Sequence, residues 1–269
     1  ERINTGYIND SYYIIENGER KYVLQKINTN VFQKIDAIKN NINLSISKLK
    51  DINYHKIKFI DPINQELFYN SGKEYWRLME YVKGSYTKDN AENTNDAFEA
   101  GRILGLFHIL LKDEDLEKYL YTLDNFHNLP HRIKEFEESL DNSDSNLKEE
   151  CKEEINFSIE MFDRLIVFYN SSLPERICHN DSKLNNILFS SSSKGLCMID
   201  LDTIMKGYFH YDFGDAIRTI VNPASEEEKD LSKILFNKSL FNAFIDGLKS
   251  NGKFLSNKEL ELLPLSTAL

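Results

Sequence analysis

The chain reads as an α+β protein of two lobes, strand-rich first and mostly helical second. Three features point there. Residues 11–16 and 21–27 are rich in Tyr, Val and Ile and flank Asn17-Gly18, the pattern of a tight hairpin. Three further short strand-like runs follow, the last ending at Val82. Beyond a polar, turn-like stretch from Gly84 to Asn95, helical spacing takes over. The expected division is residues 1–82 for the first lobe and 83–269 for the second.

Within the first lobe, Phe32, Ile35, Ile38, Ile42, Ile46 and Leu49 recur three to four residues apart, which predicts a helix over Val31–Leu49. Phe59–Ile60, Glu66–Tyr69 and Tyr75–Val82 read as three more strands. In the second lobe Phe98–Leu111 reads as a helix whose Gly101 and Gly105 allow a close neighbour. Ile155, Ile159, Phe162, Ile166 and Tyr169 suggest one long central helix over Leu147–Tyr169. Ile177–Phe189 and Leu196–Leu201 read as short strands around loops, and helices return from about Glu226.

With 269 residues the chain can bury a substantial core. A formal charge of −10 argues against a nucleic-acid partner, which would call for a basic face. No apolar run approaches the roughly 20 residues of a membrane helix. Glu1–Asn9 carries neither a basic nor an apolar leader segment, so no signal peptide is expected. Cys151, Cys178 and Cys197 form no CxxC pair, and the last two lie in apolar, strand-like surroundings. Reduced, buried thiols and a cytoplasmic location are the expectation.

The chemistry-bearing stretch is Ile177-Cys178-His179-Asn180-Asp181-Ser182-Lys183-Leu184-Asn185-Asn186-Ile187-Leu188-Phe189. Moving a phosphoryl group needs a carboxylate to orient and deprotonate the attacking hydroxyl, and an oxygen ligand for Mg²⁺ close by. A loop between two strands can hold Asp181 and Asn186 at a fixed separation, with Lys183 offering positive charge to the phosphate. Nineteen residues after Asp181, Met198-Ile199-Asp200 sets a carboxylate at the end of an apolar strand. Magnesium takes one or two carboxylates from a protein and completes its shell with phosphates and water. Asn186 and Asp200 suit that role.

These residues resemble the aminoglycoside phosphotransferase and choline kinase superfamily, relatives of the protein kinases. Within it, six stretches look like the N-acetylhexosamine 1-kinases: Gly6–Tyr12, Tyr22–Asn28, Asn125–Pro130, His179–Phe189, Ile199–Thr203 and Tyr211–Arg218. The resemblance implies a protein-kinase-like bilobal fold, ATP and Mg²⁺ as cofactors, and a small sugar as partner. It implies Asp181 as the base, assisted by Lys183, with Asn186 and Asp200 on the metal. Gly6 to Ser11, including Asn9, would be the hairpin over the phosphates. Lys26 is the choice for the strand lysine that grips ATP, although Gln25 and Lys26 face opposite sides of a strand and a one-residue slip exchanges them. Its usual helix partner, a Glu, is replaced by Lys39, Asn40 and Asn41. Glu80 and Val82 would meet adenine through their backbone, and His127, Asp202 and Arg218 are candidate sugar contacts. Arg218 could equally pair with Asp215. Asp212-Phe213-Gly214 spells a kinase metal motif but lies 31 residues past Asp181, so Asp212 is expected to brace the loop instead.

The activity these features imply is phosphorylation of the anomeric hydroxyl of an N-acetylhexosamine. An aminoglycoside, choline or amino-alcohol kinase is the alternative within the fold. A nucleotide-binding pseudokinase is the alternative outside catalysis.

Overall fold

A computed structural model describes residues 1–3, 8–61, 66–222, 224 and 228–269. Gly6, assigned above to the phosphate hairpin, and Glu226, where helices were expected to resume, lie outside these residues.

The first lobe is an antiparallel sheet with one helix. Strands β1 (Arg2–Ile3), β2 (Asp10–Glu16) and β3 (Glu19–Lys26) lead into helix α1 (Ile35–Lys48). Short strands β4 (Phe59–Ile60) and β5 (Tyr69–Asn70) and the longer β6 (Tyr75–Glu80) complete the lobe. The sheet order is β1-β2-β3-β6-β4, with β5 also pairing to β6. Asn17 (φ 52°) and Gly18 (φ 80°) form the two-residue turn between β2 and β3. Two successive left-handed residues match the right-handed twist of a hairpin, and Asn-Gly supplies them at low cost.

Helix α2 (Thr94–Leu111) opens the second lobe and starts earlier than its apolar spacing suggests, because the Asn93 side chain caps it by accepting from Asp96 N at 3.1 Å. Next come α3 (Leu129–Asn142), α4 (Ser145–Glu150), α5 (Lys152–Leu165) and α6 (Val167–Asn170). The single central helix expected over Leu147–Tyr169 is therefore three pieces, broken at Cys151 and at Ile166. Nor is it central. Phe157 is 65% exposed and Ile159 47%, so the apolar period there lies on the surface. Strands β7 (Arg176–Cys178), β8 (Ile187–Phe189), β9 (Gly195–Met198) and β10 (Met205–Gly207) form two small ribbons, β7 with β10 and β8 with β9. Helices α7 (Phe209–Ile220), α8 (Lys238–Lys249) and α9 (Asn257–Leu262) follow.

Gly101 shows why α2 sits where it does. A Cβ there would stand 2.0 Å from the Phe244 carbonyl oxygen on α8, and one on Gly247 would stand 1.9 Å from the Phe98 carbonyl oxygen. The two helices touch backbone to backbone because each offers a glycine to the other. Around them Ile103, Phe107, Phe213 and Phe244 are buried in one continuous core, the main favourable contribution to folding. Cys178 and Cys197 are buried free thiols, the latter within that core, and burial pushes the Cys197 thiol up to about 12. No helix among the described residues is long and apolar enough to cross a membrane.

Candidate active site

The loop after β7 is held by its own backbone and by one buried carboxylate. Asp212 on α7 accepts from His179 N at 2.8 Å, from Asn180 N at 2.6 Å and from His108 Nε2 at 2.9 Å. Its carbonyl oxygen accepts from Ser182 Oγ at 2.6 Å. Burial pushes the Asp212 carboxyl up, but the bond and charge of His108, then His179, outweigh it and hold the group below its ordinary value. With two backbone amides and a histidine on its oxygens, Asp212 braces the loop, as expected, and stays away from the cleft. Asn180 is left-handed (φ 63°), and its side-chain amide donates to the carbonyls of Cys178 and Thr203 at 3.1 and 3.0 Å.

This scaffold sets Asp181 and Asp200 at the same cleft. His179 Nδ1 accepts from Asp181 N at 3.3 Å, and its Nε2 donates to Ile199 O at 2.8 Å, so the ring spans both segments. Ile199 N donates to Asn186 O at 2.8 Å. The Asn186 amide donates to Asp181 Oδ2 and to Asp181 O, both at 2.7 Å. Asn186 lines the same cleft as Asp200, and Lys183 Nζ lies 3.5 Å from Asp181 Oδ1. All four side chains line the cleft between the lobes.

Asp200 is left-handed (φ 59°), a strained state for a non-glycine residue that turns its carboxylate into the cleft, where 41% of the side chain is exposed. Even so, desolvation by the surrounding walls, then the charge of Asp202 and of Asp181, push its carboxyl up to about 6 against the pull of Arg77. Hard oxygen donors crowded until they repel one another suit a divalent cation, so Asn186 and Asp200 fit the magnesium set the sequence suggested.

The expected nucleotide residues divide. Asn9, Ser11, Glu80 and Val82 line the cleft, next to apolar walls from Val23, Met79, Leu188 and Ile199. Lys26 does not. Its Nζ pairs with Glu74 at 2.5 Å and sits 5.9 Å from the Trp76 ring, on the far face of the sheet. Alternation decides this: Ser11, Gln25 and Arg77 are cross-strand partners in register and share the cleft face, whereas Asp10, Lys26 and Trp76 share the other. Arg77 was missed. The available signal was a charged residue between Tyr75 and Met79 on one face of an otherwise apolar strand.

The expected sugar contacts divide as well. Asp202 is buried and committed, accepting from both terminal nitrogens of Arg77 and from Asn9 Nδ2 at 2.8 Å. It lies in the 3₁₀ turn after Asp200 and faces the sheet, where Arg77 reaches both carboxylates. His127 donates to Asn180 O at 3.2 Å, stacks on Tyr211 at 4.6 Å, and borders a second groove with Phe126 and Arg132. Arg218 pairs with Asp215 Oδ1 at 2.6 Å. The second oxygen of Asp215 is buried with no hydrogen-bond partner among the described residues, and burial raises its carboxyl, with Arg218 opposing and Asp181 adding to the rise.

Comparison with known proteins bears on the fold and the family. Solved structures of similar fold include a spectinomycin phosphotransferase bound to ADP and spectinomycin (TM-score 0.60, 14% identity, covering 99% of this chain and 77% of that one). An amicoumacin kinase with AMP-PNP and Ca²⁺ matches at TM-score 0.64 and 13% identity over 98% and 75% of the two chains. A microcompartment-associated aminopropanol kinase matches at 0.63 and 16% over 99% and 79%. The fold is thus the kinase-like one, with a sheet lobe and a helical lobe. Residues 1–232 match the phosphotransferase enzyme family known as APH, and the chain belongs to that family.

Proposed function

We propose that the protein is an ATP-dependent kinase of a small alcohol, with an N-acetylhexosamine phosphorylated at its anomeric oxygen as the favoured acceptor. The observation that carries the kinase reading is the Asp181–Asn186–Ile199 chain of hydrogen bonds, which holds the Asp181 carboxylate on the same cleft as a second carboxylate 19 residues further on.

The adenine would lie between Val23, Met79 and Leu188, with its edge toward the backbone of Glu80 and Val82. Asn9 and Ser11 would face the phosphates, with Lys183 beside the transferred group. Asp181 would accept the proton of the acceptor hydroxyl as that oxygen bonds to the γ-phosphorus. The bond to the bridging oxygen then breaks and ADP leaves. Asn186 and Asp200 would hold a magnesium ion, which offsets charge on the phosphates when bound.

The hexosamine assignment rests on the resemblance of residues 6–12, 125–130 and 211–218. A second reading, an amino-alcohol or aminoglycoside acceptor, is supported by the aminopropanol kinase and by an aminoglycoside phosphotransferase of similar fold (TM-score 0.58). The net charge of −10 suits a cationic acceptor. An ADP-release assay over free N-acetylhexosamines, aminoglycosides, choline and aminopropanol separates the two. Phosphorus NMR should then show a sugar 1-phosphate whose anomeric proton couples to phosphorus. A 6-phosphate would keep the kinase and discard the regiochemistry. Turnover confined to amines would install the second reading.

A further inference from the structure

A triphosphate needs fixed positive charge, and the usual strand lysine is turned away here. Among the described residues that line the cleft, Lys183 and Arg77 are the cations. Arg77 stands in mid-strand on β6, with 1% of its side chain exposed. Burying a guanidinium is costly unless its donors are matched, and these are. Its Nε donates to Gln25 Oε1 at 2.9 Å, while Nη1 and Nη2 both donate to Asp202. Gln25 in turn donates to Ser11 Oγ at 3.0 Å.

The network ends at the site's own groups. Arg77 Nη2 is 3.7 Å from Asp200 Oδ1, and Asn9, on the turn leading into β2, bonds the same Asp202 carboxylate. One guanidinium therefore touches the neighbour of the candidate metal ligand and shares a partner with the phosphate-side turn. A sheet could be held together there by apolar side chains. A charge is retained instead on the wall of the cleft that Asn9, Lys183 and Asp200 also line.

We infer that Arg77 is the fixed cation of the nucleotide site in this chain: a positioning residue that holds Asp202 in place, orients Asp200, and offsets triphosphate charge in place of a strand lysine. This rests on the kinase reading above.

The test is calorimetric binding of adenylyl imidodiphosphate with Mg²⁺, set beside binding of adenosine. Arg77→Met should weaken the triphosphate analogue by about tenfold or more, the scale of one charge-assisted hydrogen bond. Adenosine, which carries no phosphate, should change by less than about threefold, or about 0.65 kcal/mol. Because that substitution leaves Asp202 buried without its partner, it is repeated with Asp202→Asn to keep the fold. Lys26→Met should leave both ligands unchanged. Adding Gln25→Lys to Arg77→Met, which moves the charge to the cross-strand neighbour, should recover part of the loss for the triphosphate alone. Equal losses for adenosine and the triphosphate, wild-type binding by the Arg77 variants, or a loss confined to Lys26→Met would each overturn the inference and leave the kinase reading standing. Failure of the unmodified protein to bind any nucleoside triphosphate would remove both.

Discussion

Asp212 accepts from the backbone amide of Asn180 at 2.6 Å, and Asn180 holds the left-handed backbone that starts the loop carrying Asp181. A fully buried carboxylate thus fixes the position of the candidate base without touching the cleft. Asp212→Ala should strand three buried donors, at about 1–3 kcal/mol each. The thermal midpoint should fall by at least about 6 °C, with the magnesium requirement of residual activity unaltered. A variant that melts normally but loses its metal dependence would make Asp212 a ligand after all.

Asp200 predicts the opposite pattern. Asp200→Ala removes a strained, partly exposed carboxylate, so the fold should keep its stability to within about 1 kcal/mol. Magnesium-dependent nucleotide binding should be lost. Titration calorimetry with and without Mg²⁺ reads this directly, and unchanged metal dependence would remove Asp200 from the metal site.

Asp181→Asn keeps the shape of the side chain and its acceptor toward Asn186 but cannot take a proton. Turnover should drop by more than a hundredfold, about 2.7 kcal/mol or more, with nucleotide affinity within twofold. Activity within tenfold of the parent would mean that another group serves as base.

Stability should depend on His210. Its Nε2 donates to Glu259 O at 2.9 Å, while its Nδ1 is buried with no hydrogen-bond partner among the described residues to accept a second proton. Burial lowers its pKa, with the Glu259 bond and charge pulling the other way. The unfolded chain therefore takes up a proton more readily. Stability falls as pH drops below about 6.5, by up to about 1.4 kcal/mol per unit, and levels off once the native ring titrates. His210→Gln, which keeps the donor, should lose less stability than the parent between pH 7.5 and 5.5 in urea titrations. His127, also lowered by burial, supplies a remainder of the same sign. Identical losses in both proteins would assign the effect elsewhere.

Asp181, Asn186 and Asp200 were legible in the sequence because one loop and one ribbon carry them, so their separation along the chain nearly fixes their separation in space. The hairpin at Asn17-Gly18 and the glycine contacts of α2 were legible for the same local reason. Lys26 was misassigned because a face cannot be chosen from one strand alone; only the register against β6 shows that Gln25 opposes Arg77. Periodicity likewise marked helices over Leu147–Tyr169 but carried no information on their breaks, or on whether their apolar stripe is covered.

Helix α1 presents Asn41 where a regulated kinase would present a glutamate. The amide of this buried side chain donates to Leu120 O at 2.6 Å and Ile204 O at 2.7 Å, and its oxygen accepts from Leu120 N at 2.9 Å. Together with Arg77 and Asn9 on Asp202, it rivets the sheet lobe to the helical lobe along the back of the cleft. On the kinase reading proposed above, the two walls of the cleft are thus tied to each other by the fold's own buried side chains. Nucleotide capture should behave as docking into a finished socket, with an association rate that climbs in proportion to ligand concentration and shows no plateau from a slow closing step.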